Sequence, residues 1–105
     1  MIYKLVPSVE ADNDVFDIAC YLSEQREGLG FRFYECVEDS YQRIAENPLL
    51  KGLAPFRHAK AKNIRIALVK DFSNYLIFYQ IVSNKVNILR VLHGARDYMN
   101  LFDGL

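Results

Sequence analysis

A chain of 105 residues with 51% hydrophobic content is expected to fold as one domain over residues 1–105, with enough apolar surface to exclude a disordered polymer. No run approaches the ~20 apolar residues that a membrane-spanning helix needs. The formal net charge of zero conceals a division: residues 1–50 hold four basic and ten acidic side chains, a balance of −6, whereas residues 51–105 hold nine basic and three acidic, a balance of +6. A basic layer can attract nucleic acid or an acidic peptide; two solvated layers that complement each other require neither.

Residues 2–6 read as a strand stopped by Pro7, too short and too polar afterwards for a signal peptide, and a cytoplasmic location is expected from the two cysteines, read as reduced thiols. Ser8 is a good N-cap, with Glu10, Asp12 and Asp14 in or near the first turns, where the helix dipole favours negative charge. Val15, Ile18, Ala19 and Leu22 recur at i, i+3, i+4 and i+7, so a helix to about Glu27 buries one stripe. Gly28 and Gly30 bracket a short turn. A second helix follows with Phe33, Cys36, Val37, Ser40, Ile44 and Ala45 on one face, ended by Asn47-Pro48. So short a connection implies an antiparallel helical hairpin. Cys20 and Cys36 fall within these helical patterns without metal-ligand spacing and are expected to be reduced, buried thiols.

Residues 48–62 read as a basic loop carrying Lys51, Arg57, His58, Lys60 and Lys62. Alternation then places Ile64, Ile66 and Leu68 on one face of a strand and Arg65, Ala67 and Val69 on the other. A turn at Asp71-Phe72-Ser73-Asn74 leads to a strand at 75–82, and a turn at Ser83–Lys85 leads to a strand at 86–93. Three strands joined by short turns are antiparallel neighbours. The last two are apolar on both faces. One face can pack on the helices. The other, bearing Tyr75, Ile77, Tyr79 and Ile81 or else Leu76 and Phe78, requires a partner or cover from Asp97–Leu105.

The chemistry-bearing residues cluster near the end, in Arg90-Val91-Leu92-His93-Gly94-Ala95-Arg96-Asp97. This segment presents Arg90, His93 and Arg96 at the edge of a small sheet. Arg90 sits among apolar residues and calls for a counter-ion, either Asp97 or an acidic group of the helical hairpin. His93 suits acid–base work but fits a hydrogen-bonded structural role equally. Arg96 and Asp97 can pair locally or cap a final turn. No phosphate-binding glycine loop, zinc spacing or His-Glu-x-x-His pattern is present, so no cofactor and no metal are expected.

Tyr75-Leu76-Ile77-Phe78-Tyr79, the run Ile88-Leu89-Arg90-Val91-Leu92-His93-Gly94-Ala95-Arg96-Asp97, and the opening Tyr3-x-Leu5-x-Pro7-Ser8-Val9-Glu10-Ala11-Asp12 resemble the RelE/ParE toxin superfamily, and in particular its ParE-like, or plasmid-stabilisation, branch. The resemblance spans nearly the whole chain. It implies an α+β fold: an N-terminal strand, and an antiparallel helical hairpin packed on a small, mainly antiparallel sheet that ends in a three-strand meander. RelE-like members cut mRNA in the ribosomal A site without a metal. ParE-like members poison DNA gyrase. Both are held inactive by a cognate antitoxin encoded alongside.

Metal-free RNA cleavage needs groups that take and give a proton, and cations on the phosphorane. RelE-like nucleases place lysines and an arginine on the middle strands, an arginine after the last strand and a C-terminal tyrosine. Here these positions carry Leu76, Arg96 and Phe102, and Arg65 is the lone cation of strand 64–69. Leucine cannot stabilise phosphate charge and phenylalanine cannot transfer a proton, so two roles are empty. Net neutrality also weakens the case for work within ribosomal RNA, where cation–phosphate contacts release counterions. The resemblance therefore implies a toxin without catalytic residues that binds gyrase and does not itself bind nucleic acid. The alternatives are a nuclease site built from Arg65, Arg90, His93 and Arg96, or a degenerate toxin kept as an antitoxin-binding module.

The implied partner is a ParD-like antitoxin whose C-terminal segment lays a helix in the apolar groove by the hairpin and adds contacts along the sheet. An acidic segment would run past Lys60, Lys62 and Arg65, with Arg90 as a further contact. The target-facing surface is expected at the C-terminal region from Arg96 to Phe102, with Arg96, Tyr98 and Phe102 as its contacts.

Overall fold

The computed structural model describes residues 3–50 and 63–94. In chain order they form strand β1 (Lys4–Pro7), helix α1 (Val9–Gln25), helix α2 (Leu29–Glu46), a single 3-10 turn (Pro48–Leu50), and strands β2 (Arg65–Val69), β3 (Phe72–Val82) and β4 (Lys85–His93). The sheet order is β1-β4-β3-β2. β1 runs parallel to β4, and the other pairs are antiparallel. The two helices form the hairpin that packs on one face, so the expected α+β architecture is present.

Ser8 starts α1 as anticipated. Its backbone is extended (φ −74°, ψ 163°), and its Oγ accepts from the Ala11 N–H at 2.9 Å. The same hydroxyl donates to the Leu89 carbonyl at 2.8 Å, so one cap both opens the helix and ties it to β4. Ala11, Val15, Ala19 and Leu22 recur every three or four residues and are buried. α1 ends at Gln25, short of Glu27, because Arg26 leaves helical geometry while its N–H still reaches the Leu22 carbonyl.

The two glycines of the helix connection do different jobs. Gly28 caps α2 from the left-handed region (φ +82°), which side chains other than glycine enter only with strain. Gly30 lies inside α2, and a Cβ there would overlap the Ala19 carbonyl and the Ser23 Oγ of α1. Its missing side chain is what lets the helices approach.

The sheet face toward the hairpin carries Ala67, Val69, Tyr75, Ile77, Tyr79, Val86, Ile88 and Val91, packed with Phe33, Cys36, Val37 and Ile44 of α2. Phe33 meets the edges of Phe72 and Tyr75 at ring separations of 5.1 and 5.3 Å. A fully buried side chain such as Phe33 contributes roughly 1.5–3 kcal/mol, and Phe72 is only partly buried. The opposite face holds Ile64, Phe78 and Leu92, with Ile66, Leu76 and Leu89 partly buried beside them. Leu76 and Phe78, and not the Tyr75–Ile81 set, therefore form the face away from the helices. The expected cover from Asp97–Leu105 lies outside the described residues.

Three local expectations are corrected. Pro7 does not stop β1 but forms its last residue, pairing in register with Ile88. The β2–β3 turn is tighter than the four residues Asp71–Asn74: Val69 pairs with Phe72 across a turn in which Asp71 takes φ +62°, so Phe72 to Asn74 already belong to the strand. Cys36 is buried as expected, whereas Cys20 is exposed, because it lies off the Ala11–Leu22 stripe; both are free thiols.

Candidate functional site

β1 pairs with β4 only from Lys85 to Ile88. Beyond that point the β4 edge would offer unpaired backbone groups, a hazard that proteins cover. The N-terminal half of α1 covers it here. Asp14 grips Arg90 with both oxygens, accepting from Nε at 2.6 Å and from Nη2 at 2.7 Å, and it also accepts the Val91 N–H at 3.0 Å. The two side chains are 12% and 26% exposed, so this is a partly desolvated, bidentate pair of the stronger kind. A bulge sets it up. Phe78 pairs with Arg90 and Tyr79 with Ile88, which leaves Leu89 as the extra residue and re-aims Arg90 toward the helix. The acidic hairpin group anticipated as the counter-ion of Arg90 is thus Asp14.

At the other side of the sheet, β2 is an edge strand, and the α2 C-terminal half runs alongside it. Ser40 joins the two. Its Oγ donates to the Cys36 carbonyl at 2.7 Å and accepts the Lys70 N–H at 2.9 Å. Two exposed ion pairs, Arg32–Asp71 at 2.9 Å and Lys70–Asp39 at 3.4 Å, add lateral ties. Between these elements lies a groove of about 270 Å³, lined by Arg43, Ile44, Asn47, Leu50, Ala67, Leu68 and Lys70, among others. Leu49, Leu50 and Leu68 are 65%, 77% and 54% exposed. The apolar floor, next to a strand edge, can take apolar side chains of an extended or helical segment; its rim carries Arg43 and Glu46, together with Lys70, which already pairs with Asp39. The reading of 48–62 as a basic loop misses this groove; Leu50, just after the Asn47-Pro48 stop, is the one apolar signal there, and only the fold brings Leu68 beside it.

Among the described residues, the candidates do not converge on one point. Arg65 opens β2 opposite Tyr79. Burial pushes the Tyr79 hydroxyl up to about 12, with the Arg65 charge pulling the other way, and this hydroxyl donates to the Pro48 carbonyl at 2.6 Å. Arg90 lies two strands away, about 10 Å across the sheet, and turns to the far edge to meet Asp14. His93 ends β4 in register with Tyr75, its ring edge-on at 5.2 Å. Leu76, the residue at the middle-strand arginine position of the nuclease branch, packs against the Ile64, Phe78 and Leu92 cluster. Lys60, Lys62, Arg96, Tyr98 and Phe102 lie outside the described residues. Among the described residues, no group of three or more histidine, cysteine or acidic side chains could hold a metal, and no helix is long and apolar enough to cross a membrane.

Comparison with known proteins gives the family. The family described as the ParE toxin of the type II toxin–antitoxin system, parDE, matches residues 5–98. Among curated proteins none matches. Two solved structures share the fold. One is from a chromosomal ParDE toxin–antitoxin system of P. aeruginosa, with a TM-score of 0.70 and 11% identity over 88% of this chain and 96% of that one. The other is from the RelBE2 toxin–antitoxin complex of Mycobacterium tuberculosis, with a TM-score of 0.60 and 22% identity over 89% of this chain and 99% of that one. At such identities the structures speak for the fold alone. The family match covers most of the chain and includes the elements that build the Asp14–Arg90 clamp and the α2–β2 groove, so this chain belongs to the ParE toxin family of type II toxin–antitoxin systems, within the RelE/ParE superfamily.

Proposed function

We infer that this protein is the toxin of a type II pair, that it acts in the cytoplasm by binding DNA gyrase without chemistry of its own, and that a ParD-like antitoxin neutralises it. The observation that carries the reading is Leu76. Where the nuclease branch places an arginine, this chain has an aliphatic side chain packed into an apolar cluster. The dispersal of Arg65, Arg90 and His93 over two strands and opposite edges supports the same reading. Arg96, Tyr98 and Phe102 remain the proposed gyrase contacts.

The antitoxin's seat is proposed at the basic side of the molecule. Its C-terminal segment packs apolar side chains into the groove beside Leu50 and Leu68, and its acidic groups meet Arg43 there and Arg65 on β2; Lys60 and Lys62 remain proposed contacts. Arg90, at the opposite edge, offers a contact only to a segment long enough to wrap the sheet.

The deciding experiment is a supercoiling assay with purified gyrase. Inhibition with trapped cleavage complexes at micromolar toxin is the expected result. An unaffected gyrase, together with translated mRNA cut within codons after induction, would transfer the activity to a ribosome-dependent nuclease. An unaffected gyrase with no growth effect would leave a degenerate antitoxin-binding module.

A further inference from the structure

We propose that the solvent-facing side of the α1–α2 hairpin is a second docking surface, distinct from the groove, and that it receives a basic amphipathic helix of a protein partner. Val9, Phe16, Phe31 and Tyr34 are 71%, 58%, 73% and 40% exposed, an unusual density of large apolar side chains for two surface helices. Their positions make them neighbours. Gly30 lies against Ala19 and Ser23 of α1, which sets the level at which the antiparallel helices cross. Phe16 comes one turn before Ala19, and Tyr34 comes one turn after Gly30, so both flank the same seam. Val9, seven residues before Phe16, and Phe31, beside Gly30, extend the strip in both directions.

The rim of this strip selects the partner. α1 carries five acidic residues and no basic one, and α2 carries four acidic residues against two basic. Neither of those two cations serves the outer face, since Arg32 is paired with Asp71 of the β2–β3 turn and Arg43 lines the groove; of the acids, Asp14 is taken by Arg90, Asp39 by Lys70, and Glu46 lines the groove. Asp17 and Glu24 of α1 and Glu35 and Glu38 of α2 are exposed on the same two helices. Aromatic anchors set the contact energy of an interface, and complementary charge sets its rate and choice of partner. A helix with an apolar stripe flanked by lysine or arginine satisfies both terms. A second copy of this chain meeting the surface about a two-fold axis does not, because it would set acid against acid.

The test uses the full-length chain and a synthetic peptide of about 18 residues, five helical turns, with leucine on one stripe and lysine on its flanks. A second peptide replaces each lysine by glutamate. Backbone amide shifts of the isotopically labelled protein are followed during titration. The expected result is a set of shifts confined to the surroundings of Val9, Phe16, Phe31 and Tyr34, weakened by salt, with the glutamate peptide binding at least about tenfold more weakly. Phe16→Ser and Phe31→Ser each reduce affinity about tenfold or more; both side chains are exposed, so the thermal melt stays unchanged. Glu35→Lys with Glu38→Lys, which spares the aromatics, also weakens binding. Shifts centred on Leu50 and Leu68, equal affinity for the two peptides, or variants that bind like the parent would overturn the proposal. So would self-association lost on Phe16→Ser in sedimentation, which would make the occupant a second copy.

Discussion

Asp14 and Arg90 are 76 residues apart in sequence, yet they share two hydrogen bonds, and the same carboxylate takes the Val91 backbone N–H. One side chain thus neutralises a cation held between apolar strands and closes a strand edge that β1 is too short to reach. Removing it takes this carboxylate away from both a partly buried guanidinium and a backbone donor. Asp14→Ala is expected to destabilise the fold by about 3 kcal/mol, read as a lower urea midpoint. Arg90→Met leaves the Asp14 carboxylate without the guanidinium but still accepting the Val91 N–H, so it breaks fewer of the clamp's bonds than Asp14→Ala and is expected to cost less. Equal losses for the two variants would count against the asymmetry.

The two glycines of the helix connection make a paired prediction. Gly30→Ala forces a methyl into the Ala19 carbonyl and must part the helices; a loss of about 2–3 kcal/mol is expected. Gly28→Ala has open space around it and meets only the strain of φ +82°, about 1 kcal/mol. Thermal melts of the two variants should rank in that order. The reverse order would mean that backbone conformation, and not helix approach, limits this corner.

The buried phenol of Tyr79 gives a pH signature. Its value rises from 10.0 to about 12 through burial, so the folded protein holds this proton where the unfolded chain has released it. Its contribution to stability is complete below about pH 10 and is lost as pH climbs through about 12. Tyr41, whose hydroxyl is buried without a hydrogen-bond partner among the described residues, is pushed the same way by burial and then by Asp12, Glu38 and Asp14. Spectrophotometric titration should therefore show some of the seven tyrosines ionising late. Tyr79→Phe should flatten the alkaline part of the stability curve, while losing about 1 kcal/mol at neutral pH with the bond to the Pro48 carbonyl. An alkaline slope identical to that of the parent would mean Tyr79 is not the group responsible.

The groove can be tested without touching the core. Leu68 is more than half exposed, so Leu68→Asp should leave the melt within about 0.5 kcal/mol of the parent. It should weaken the antitoxin complex by about tenfold or more, through lost apolar contact and like charge toward an acidic segment. Calorimetric titration of the two purified partners measures this directly. Unchanged affinity would remove the groove from the interface and leave the basic side around Arg65 as the remaining seat.

Local signals settled much of this protein. Ser8 caps α1 because a short hydroxyl after a proline offers an acceptor to the first turn, whatever lies elsewhere in the chain. The Val15–Leu22 and Phe33–Ala45 stripes, the short glycine connection and the three apolar strands likewise depend on neighbours within a few residues, and from them follow the helical hairpin and the meander. The resemblance of the strand motifs to the ParE branch was legible for the same reason, since it rests on contiguous residues.

What the tertiary structure alone decided involves partners far apart in sequence. Arg90 called for a counter-ion, but only the folded chain, with the Leu89 bulge in β4, brings Asp14 of α1 to it. Two apolar sheet faces were visible, but alternation cannot say which one the helices cover. The α2–β2 groove and the aromatic strip exist only because separate elements lie side by side. The physical reason is common to all of these: periodicity fixes direction within an element, whereas contact between elements depends on how the whole chain closes its sheet and where a missing side chain lets two helices meet.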